Sequence, residues 1–119
     1  MQNVKFNENG GPIIVEVKCG HAQIGTYTIL LWESNDVLKE WKGNFINPED
    51  DLYELPSPNK RNSGRIVDCL FTITLTPPIK DYYVELRIMQ DGKELGIEKA
   101  SGQSDIETIT KELCLQLEA

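Results

Sequence analysis

The chain has few cysteines and one histidine, and both shortages narrow its chemistry. Its three cysteines, Cys19, Cys69 and Cys114, are odd in number and far apart in 119 residues, which does not suit a disulfide framework. Each lies in an apolar stretch, so we expect buried free thiols and a reducing, cytoplasmic environment. The single histidine, His21, leaves few groups for acid–base catalysis near neutral pH.

Cys19 and His21 together are the candidate for a thiolate–imidazole pair or half of a metal site. In an extended strand both side chains would project from one face, with about 7 Å between the two Cα atoms. No second close pair of ligands, such as C-x-x-C, accompanies them. The sequence also has no nucleophile elbow, phosphate-binding loop, dinucleotide fingerprint or H-E-x-x-H motif. We therefore expect neither an enzyme nor a cofactor.

Long apolar runs and basic clusters are scarce as well. The longest uninterrupted apolar run covers only residues 29–32, whereas a membrane-spanning helix needs roughly 20 apolar residues. The formal net charge is -7, and the only clustered cations are Lys60, Arg61 and Arg65, too few for a nucleic-acid-binding surface. The sequence predicts a soluble, acidic protein that binds neither nucleic acid nor membranes.

Most segments of the chain show strict alternation of apolar and polar residues. In residues 66–74, for example, Val67, Cys69 and Phe71 share one face, and this period of two is typical of a β-strand. Turn residues at 34–36 and 91–92 are typical of tight hairpins. The charged segment that follows the first of these turns is predicted to be an edge strand, where charge discourages pairing with a second molecule.

About seven strands and no clear helix predict an all-β fold. We expect an antiparallel β-sandwich, immunoglobulin-like or jelly-roll-like, formed by residues 1–119 as a single domain; a partly open barrel is the alternative. Residues 105–117 are ambiguous, because Ser104 and Glu107 resemble a helix capping box while Leu113, Leu115 and Leu117 fit period two. We favour a strand there, with an α+β fold carrying a C-terminal helix at 105–117 as the alternative.

Residues 47–65 are predicted to form a long loop between strands, and loops of this length are often functional. Acidic residues come first and basic ones last, with an apolar group between them that either packs against the sandwich or contacts a partner. The cations offer donors for a phosphate or carboxylate. The candidate binding residues are those apolar groups, the cations and one strand tryptophan: Leu52, Tyr53, Leu55, Lys60, Arg61, Arg65 and Trp41.

These features favour a non-catalytic protein-interaction or assembly module. Its partner would be a protein, and the open edges of its strands would also permit homo-oligomers. The alternative is a carbohydrate- or calcium-binding β-sandwich module that uses aromatic faces and acidic residues. Glu49, Asp50 and Asp51 are weak calcium candidates, since a calcium site gathers six to eight oxygen ligands, and no other metal ligands are expected.

Overall fold

The computed structural model describes residues 1–20, 24–45, 51–74, 81–103 and 108–119. Two packed sheets in these ranges form an all-β sandwich, which confirms the predicted fold class and excludes a closed barrel. The strands are, in chain order, β1 (Gln2–Lys5), β2 (Ile13–Gly20), β3 (Ile24–Glu33), β4 (Asp36–Asn44), β5 (Asp51–Glu54), β6 (Ile66–Thr74), β7 (Asp81–Gln90), β8 (Lys93–Gln103) and β9 (Thr108–Glu118).

The first sheet has the order β1-β9-β6-β3-β4 and the second the order β5-β2-β7-β8. Neighbouring strands are antiparallel, except that β1 runs parallel to β9 with Val4 opposite Leu117. The inner faces enclose one apolar core, and burying each large aliphatic or aromatic side chain there contributes roughly 1.5–3 kcal/mol. The largest fully buried side chains are Phe71, Ile13, Ile29, Leu31, Ile73, Leu86, Ile88, Leu115, Leu117, Val4, Val15 and Val67.

Both predicted hairpin turns are present. The turn between β3 and β4 has Ser34 at φ 54°, and the turn between β7 and β8 has Asp91 at 52° and Gly92 at 75°. Two successive residues with positive φ form the turn type that matches the twist of a two-residue hairpin. Asp91 also holds the start of β2 by accepting a hydrogen bond from the Gly11 N–H (3.1 Å).

The C-terminal segment is a strand, so the helical alternative is wrong for the described residues 108–118. Leu113, Leu115 and Leu117 enter the core in alternation, because β9 pairs on both edges, with β1 and with β6. Lys111, which interrupts the apolar alternation, lies with its Nζ 5.8 Å from the centre of the Tyr82 ring. The chain positions of the supposed capping box, 104–107, lie outside the described residues.

The predicted loop at 47–65 is largely replaced by regular structure in its described part. Asp51–Glu54 forms β5 and pairs with β2, and Asn59–Asn62 forms a short 3-10 helix. The rest is tied to the sandwich: the fully buried Asn62 donates to the Pro56 carbonyl (2.9 Å), and Gly64 N–H donates to the Leu117 carbonyl (2.7 Å). A buried polar side chain and a backbone N–H of the predicted loop therefore fix the chain in place.

Within the described ranges, no helix has the length and apolar content needed to cross a bilayer.

Candidate functional site: the β4–β5 side of the sandwich

The outer edge of β4 is the first element of the candidate site. No described strand pairs with this edge of the first sheet. Phe45 N–H donates to the Gly25 carbonyl (2.9 Å) just beyond the last ladder pair. Because hydrogen-bonding direction alternates along an antiparallel strand, Trp41 and Gly43 also direct their backbone groups to β3. Glu40 and Lys42 therefore direct their N–H and C=O groups away from the sheet.

An aromatic cluster closes the sandwich between β4 and β5, and we call this region, Asp36–Asn44 with Asp51–Glu54, the β4–β5 side. The Tyr27 ring packs 5.1 Å from the Phe45 ring and 6.2 Å from the Tyr53 ring, and the Trp41 and Tyr53 rings lie 5.9 Å apart. Gly43 makes this packing possible, because any Cβ there would overlap the Tyr27 ring. Trp41 and Tyr53 remain half-buried, so part of the cluster meets solvent.

A hydrogen-bonded group lies at the centre of this cluster. The Tyr27 hydroxyl donates to the Asp51 carboxylate and lies 2.5 Å from the Tyr53 hydroxyl. Burial, followed by these hydrogen bonds, raises the pKa of Tyr27 far above its ordinary value. The phenol therefore stays protonated and acts as a structural donor. Asp51, one of the calcium candidates, already has this donor, and Glu49 and Asp50 lie outside the described residues.

The apolar and aromatic residues that were predicted to bind a partner in the 47–65 segment lie in three different places. Tyr53 joins Trp41 at the β4–β5 side. Leu55 is in the core with 4% of its surface exposed, so it cannot contact a partner directly. Leu52 points to the outer face of the second sheet opposite Glu16 and is 61% exposed. The alternation of β5 explains this division, since Leu52 and Tyr53 are neighbours in a strand.

The predicted cations lie elsewhere, on or beside the 3-10 helix. Lys60 and Arg61 are exposed, whereas Arg65 donates to Asn62 Oδ1 (3.0 Å) and pairs with Glu33 (3.4 Å). Arg65 is thus engaged within the molecule and does not form an anion site with the other two. A cleft of about 290 Å³ adjoins this region, and it is lined by Gly10, Gly11, Pro12, Glu54, Leu55, Ser57, Pro58 and Asn59.

A cluster on the outer face of the first sheet was not predicted. Cys114, expected in the core, faces outward there with its Sγ 3.2 Å from Asp68 Oδ1 and 3.0 Å from Glu112 Oε1. Trp32 Nε1 donates to the other Asp68 oxygen (3.2 Å) and helps to bury this carboxylate. Among the described residues, these three can supply ligand atoms close enough together for one metal ion: Asp68, Glu112 and Cys114.

Burial governs the ionisation of this cluster and of the other thiols. It raises the pKa of Asp68 and of Cys114 above their ordinary values, and hydrogen bonds to the carboxylates raise that of Cys114 further. Burial also raises the pKa of Cys19 to about 11 and that of Cys69 to about 12. All three thiols are therefore protonated at neutral pH, the unreactive form of cysteine. The proposed partner of Cys19, His21, lies outside the described residues.

The chain matches no protein-family model, no curated protein and no solved structure.

Proposed function

We propose that the chain is a non-catalytic protein-interaction or assembly module that binds its partner by strand addition at the outer edge of β4. The observation that carries this proposal is the outward direction of the Glu40 and Lys42 backbone groups, with no described strand paired to them. An exposed edge of this kind offers donors and acceptors in a row, and an extended segment can complete them.

The side chains around this edge also suit protein recognition. Val37 and Leu38 are each 44% exposed at the start of β4, and exposed aliphatic groups beside an open edge contribute apolar contact area to an interface. Trp41 and Tyr53 add half-buried aromatic surface, the residue types that dominate binding energy at interfaces. Backbone hydrogen bonds would supply affinity, and these side chains would supply selectivity.

A non-catalytic role in the cytoplasm belongs to the same proposal. None of the described cysteines forms a disulfide bond, which suits a reducing compartment. Protonated thiols do not act as nucleophiles, and the raised pKa values of Cys19 and Cys69 support a structural role for both.

Replacing Lys42 by proline tests the edge directly. Lys42→Pro removes an N–H that points away from β3, a position where edge strands tolerate proline. Lys42→Ala is the matched control, because it removes the same charge and keeps the N–H. We expect a pull-down from cell extract to recover a partner with the wild type and with Lys42→Ala, and to lose it with Lys42→Pro. Equal recovery of the partner with the wild type, Lys42→Ala and Lys42→Pro would contradict the proposal.

Carbohydrate binding is a second candidate, favoured by one observation. The Trp41 and Tyr53 rings lie 5.9 Å apart and are partly exposed, and the Tyr27 hydroxyl contacts both the Tyr53 hydroxyl and the Asp51 carboxylate. Aromatic faces near a carboxylate suit the stacking and hydrogen bonding of a sugar ring. Thermal melts with a glycan panel, with and without calcium, test it. A rise of several degrees that Trp41→Ala abolishes would favour this function over strand addition.

A further inference from the structure

We propose that two copies of this chain join their first sheets by antiparallel pairing of β4 with β4, with Trp41 on the two-fold axis. The inference rests on the proposed function, because it identifies a second copy as the strand that completes the open edge. The resulting sheet would run without interruption through both molecules. The backbone directions, the charges and the aromatic contacts of β4 each support this register.

Backbone direction supports the register first. Glu40 and Lys42 are the residues of central β4 whose N–H and C=O groups point outward, as the hydrogen bond from Phe45 N–H to the Gly25 carbonyl fixes. With Trp41 on the axis, Glu40 lies opposite Lys42 of the second copy, and each such pair exchanges two backbone hydrogen bonds. The two-fold axis doubles this set, so about four backbone bonds form.

Charge supports the register next. Directly opposed residues in an antiparallel pair lie on the same face of the sheet. Glu40 and Lys42 share the outer face, as their opposite residues Leu30 and Thr28 on β3 and their 3.6 Å ion pair show. The register at Trp41 therefore places each carboxylate against an ammonium group.

The charges also disfavour the neighbouring registers. A two-fold axis at Lys39, at Glu40 or at Lys42 would place two identical charged side chains directly opposite each other, which is destabilising. These charges therefore discourage most pairings of this edge, and they leave one that is complementary. Repulsion between like charges in the other registers and attraction between opposite charges in this one together give the edge its specificity.

The inner side of β4 is compatible with the same arrangement. Trp41 would form a non-hydrogen-bonded pair, in which Cα atoms approach to about 4.5 Å and large aromatic side chains contact across the strands. Lys39, whose Nζ lies 5.3 Å from the centre of the Trp41 ring, would face Gly43, which leaves room for it. A bulge in the β3–β4 ladder at Leu38 ends the regular stretch, so we expect a short ladder and a dissociation constant on the order of micromolar.

Opposite charge reversals test this register. Glu40→Lys gives the outer face of β4 two cations, and Lys42→Glu gives it two anions. Each variant alone should dimerise at least about tenfold more weakly than the wild type, because like charges now face each other. An equimolar mixture of the two should form a heterodimer, and the double variant with both changes should recover the wild-type dissociation constant to within about threefold. Sedimentation equilibrium at low ionic strength measures all five samples: the wild type, the two single variants, their mixture and the double variant.

The outcomes separate the dimer from the general function. A wild type that stays monomeric at about millimolar concentration overturns the dimer, as does a dimer that both charge reversals leave unchanged. If the wild type is monomeric and Lys42→Pro still abolishes capture of another protein, the dimer is wrong and the proposed function stands. Circular dichroism and melting temperature, measured at concentrations well below the dissociation constant of the dimer, serve as fold controls, since Glu40 and Lys42 are exposed and their substitution should leave both unchanged in the monomer.

Discussion

The two long open edges of the sandwich, β4 and β8, use their charges in opposite ways. Both strands lie at the end of a sheet, and no described strand is hydrogen-bonded to their outer edge. On β4, Glu40 and Lys42 share a face and form an ion pair with each other across 3.6 Å, largely in solvent. On β8, Glu94 is engaged by Arg87 at 3.1 Å on the outer face of the second sheet.

The next charges along β8 cannot support a two-fold pairing. Glu98 lies opposite Leu86 and Lys99 opposite Glu85, so the two side chains are on opposite faces. A two-fold antiparallel pair joins residues of the same face, and these two charges can never meet in it. Under the proposed pairing of β4 with β4, the order of charges along an edge, rather than their number, would decide whether two copies can pair.

The largest effect is expected from substitution of Gly43, because a side chain at this position would disrupt the aromatic packing behind β4. Gly43→Val places a branched side chain against the Tyr27 ring, and overpacking of this kind costs about 3 kcal/mol. Urea unfolding measures the loss. Lys42→Val, on the opposite face of the same strand, is the control and should change stability by less than about 0.5 kcal/mol. Equal effects of the two variants would contradict the described packing.

The second prediction concerns the ion pairs of Arg87 on β7, one of which holds Glu94 of β8. Arg87 lies 3.3 Å from Glu16, 3.2 Å from Glu85 and 3.1 Å from Glu94. Arg87→Met leaves three carboxylates without their shared cation, and we expect a loss of about 2 kcal/mol, less than for a fully buried pair because the side chain is 27% exposed. Glu94→Gln should lose less than half of this in the same unfolding experiment. If Arg87→Met is neutral, the charges of β8 are not held internally as described.

A smaller effect is expected from the hydrogen bonds that link the two sheets behind β4. Tyr27→Phe keeps the ring and removes the hydroxyl that contacts Asp51 and Tyr53. The expected loss is about 1–2 kcal/mol, because two polar groups lose a partner. Tyr83→Phe, which removes one 3.2 Å hydrogen bond to Glu85 in the second sheet, should lose less. A Tyr27→Phe variant as stable as the wild type would show that the hydroxyl contributes nothing.

The smallest effect is expected from the titration of Asp68. In contrast to the exposed charges of β4, Asp68 is a buried carboxylate in the middle of the same sheet face. Burial raises the pKa of Asp68, so the folded state holds this proton more tightly than the unfolded chain does. The wild type therefore loses stability as pH rises from the unfolded value near 3.9 through the raised folded value. Asp68→Asn does not titrate, so its stability relative to the wild type should increase from about pH 3 to about pH 7. Urea unfolding at both pH values checks this, and a decrease would contradict it.

Alternation was sufficient to predict most of this fold. Val67, Phe71 and Ile73 enter the core as their period of two requires, and positive φ at Asp91 and Gly92 follows from the preference of Asp-Gly for a tight hairpin. Both signals depend on residues that are neighbours in the sequence, so they can be recognised without knowledge of distant contacts. The prediction of Trp41 as a binding residue uses the same kind of local signal, an aromatic side chain on a predicted edge strand, and it stays a prediction.

The features that the sequence did not predict depend on distant contacts. β5 has four residues between polar segments, and it becomes a strand because it pairs with β2. Asp68 and Cys114 take opposed positions on β6 and β9, 46 residues apart, and Trp32 comes from β3. The sequence alternation of β4 does not reveal the bulge at Leu38. The one extra residue moves the side chains that precede it in β4 to the opposite face from the one that alternation predicts.

Amide hydrogen exchange of β4 at increasing protein concentration tests the central claim most directly. The Trp41 amide points to β3 and should be protected at every concentration, whereas those of Glu40 and Lys42 point outward. Pairing of β4 with β4 predicts that exchange at Glu40 and Lys42 slows as concentration rises, while exchange along β8 stays unchanged. Rapid exchange of both β4 amides at every concentration, or concentration-dependent protection along β8 instead, would contradict it.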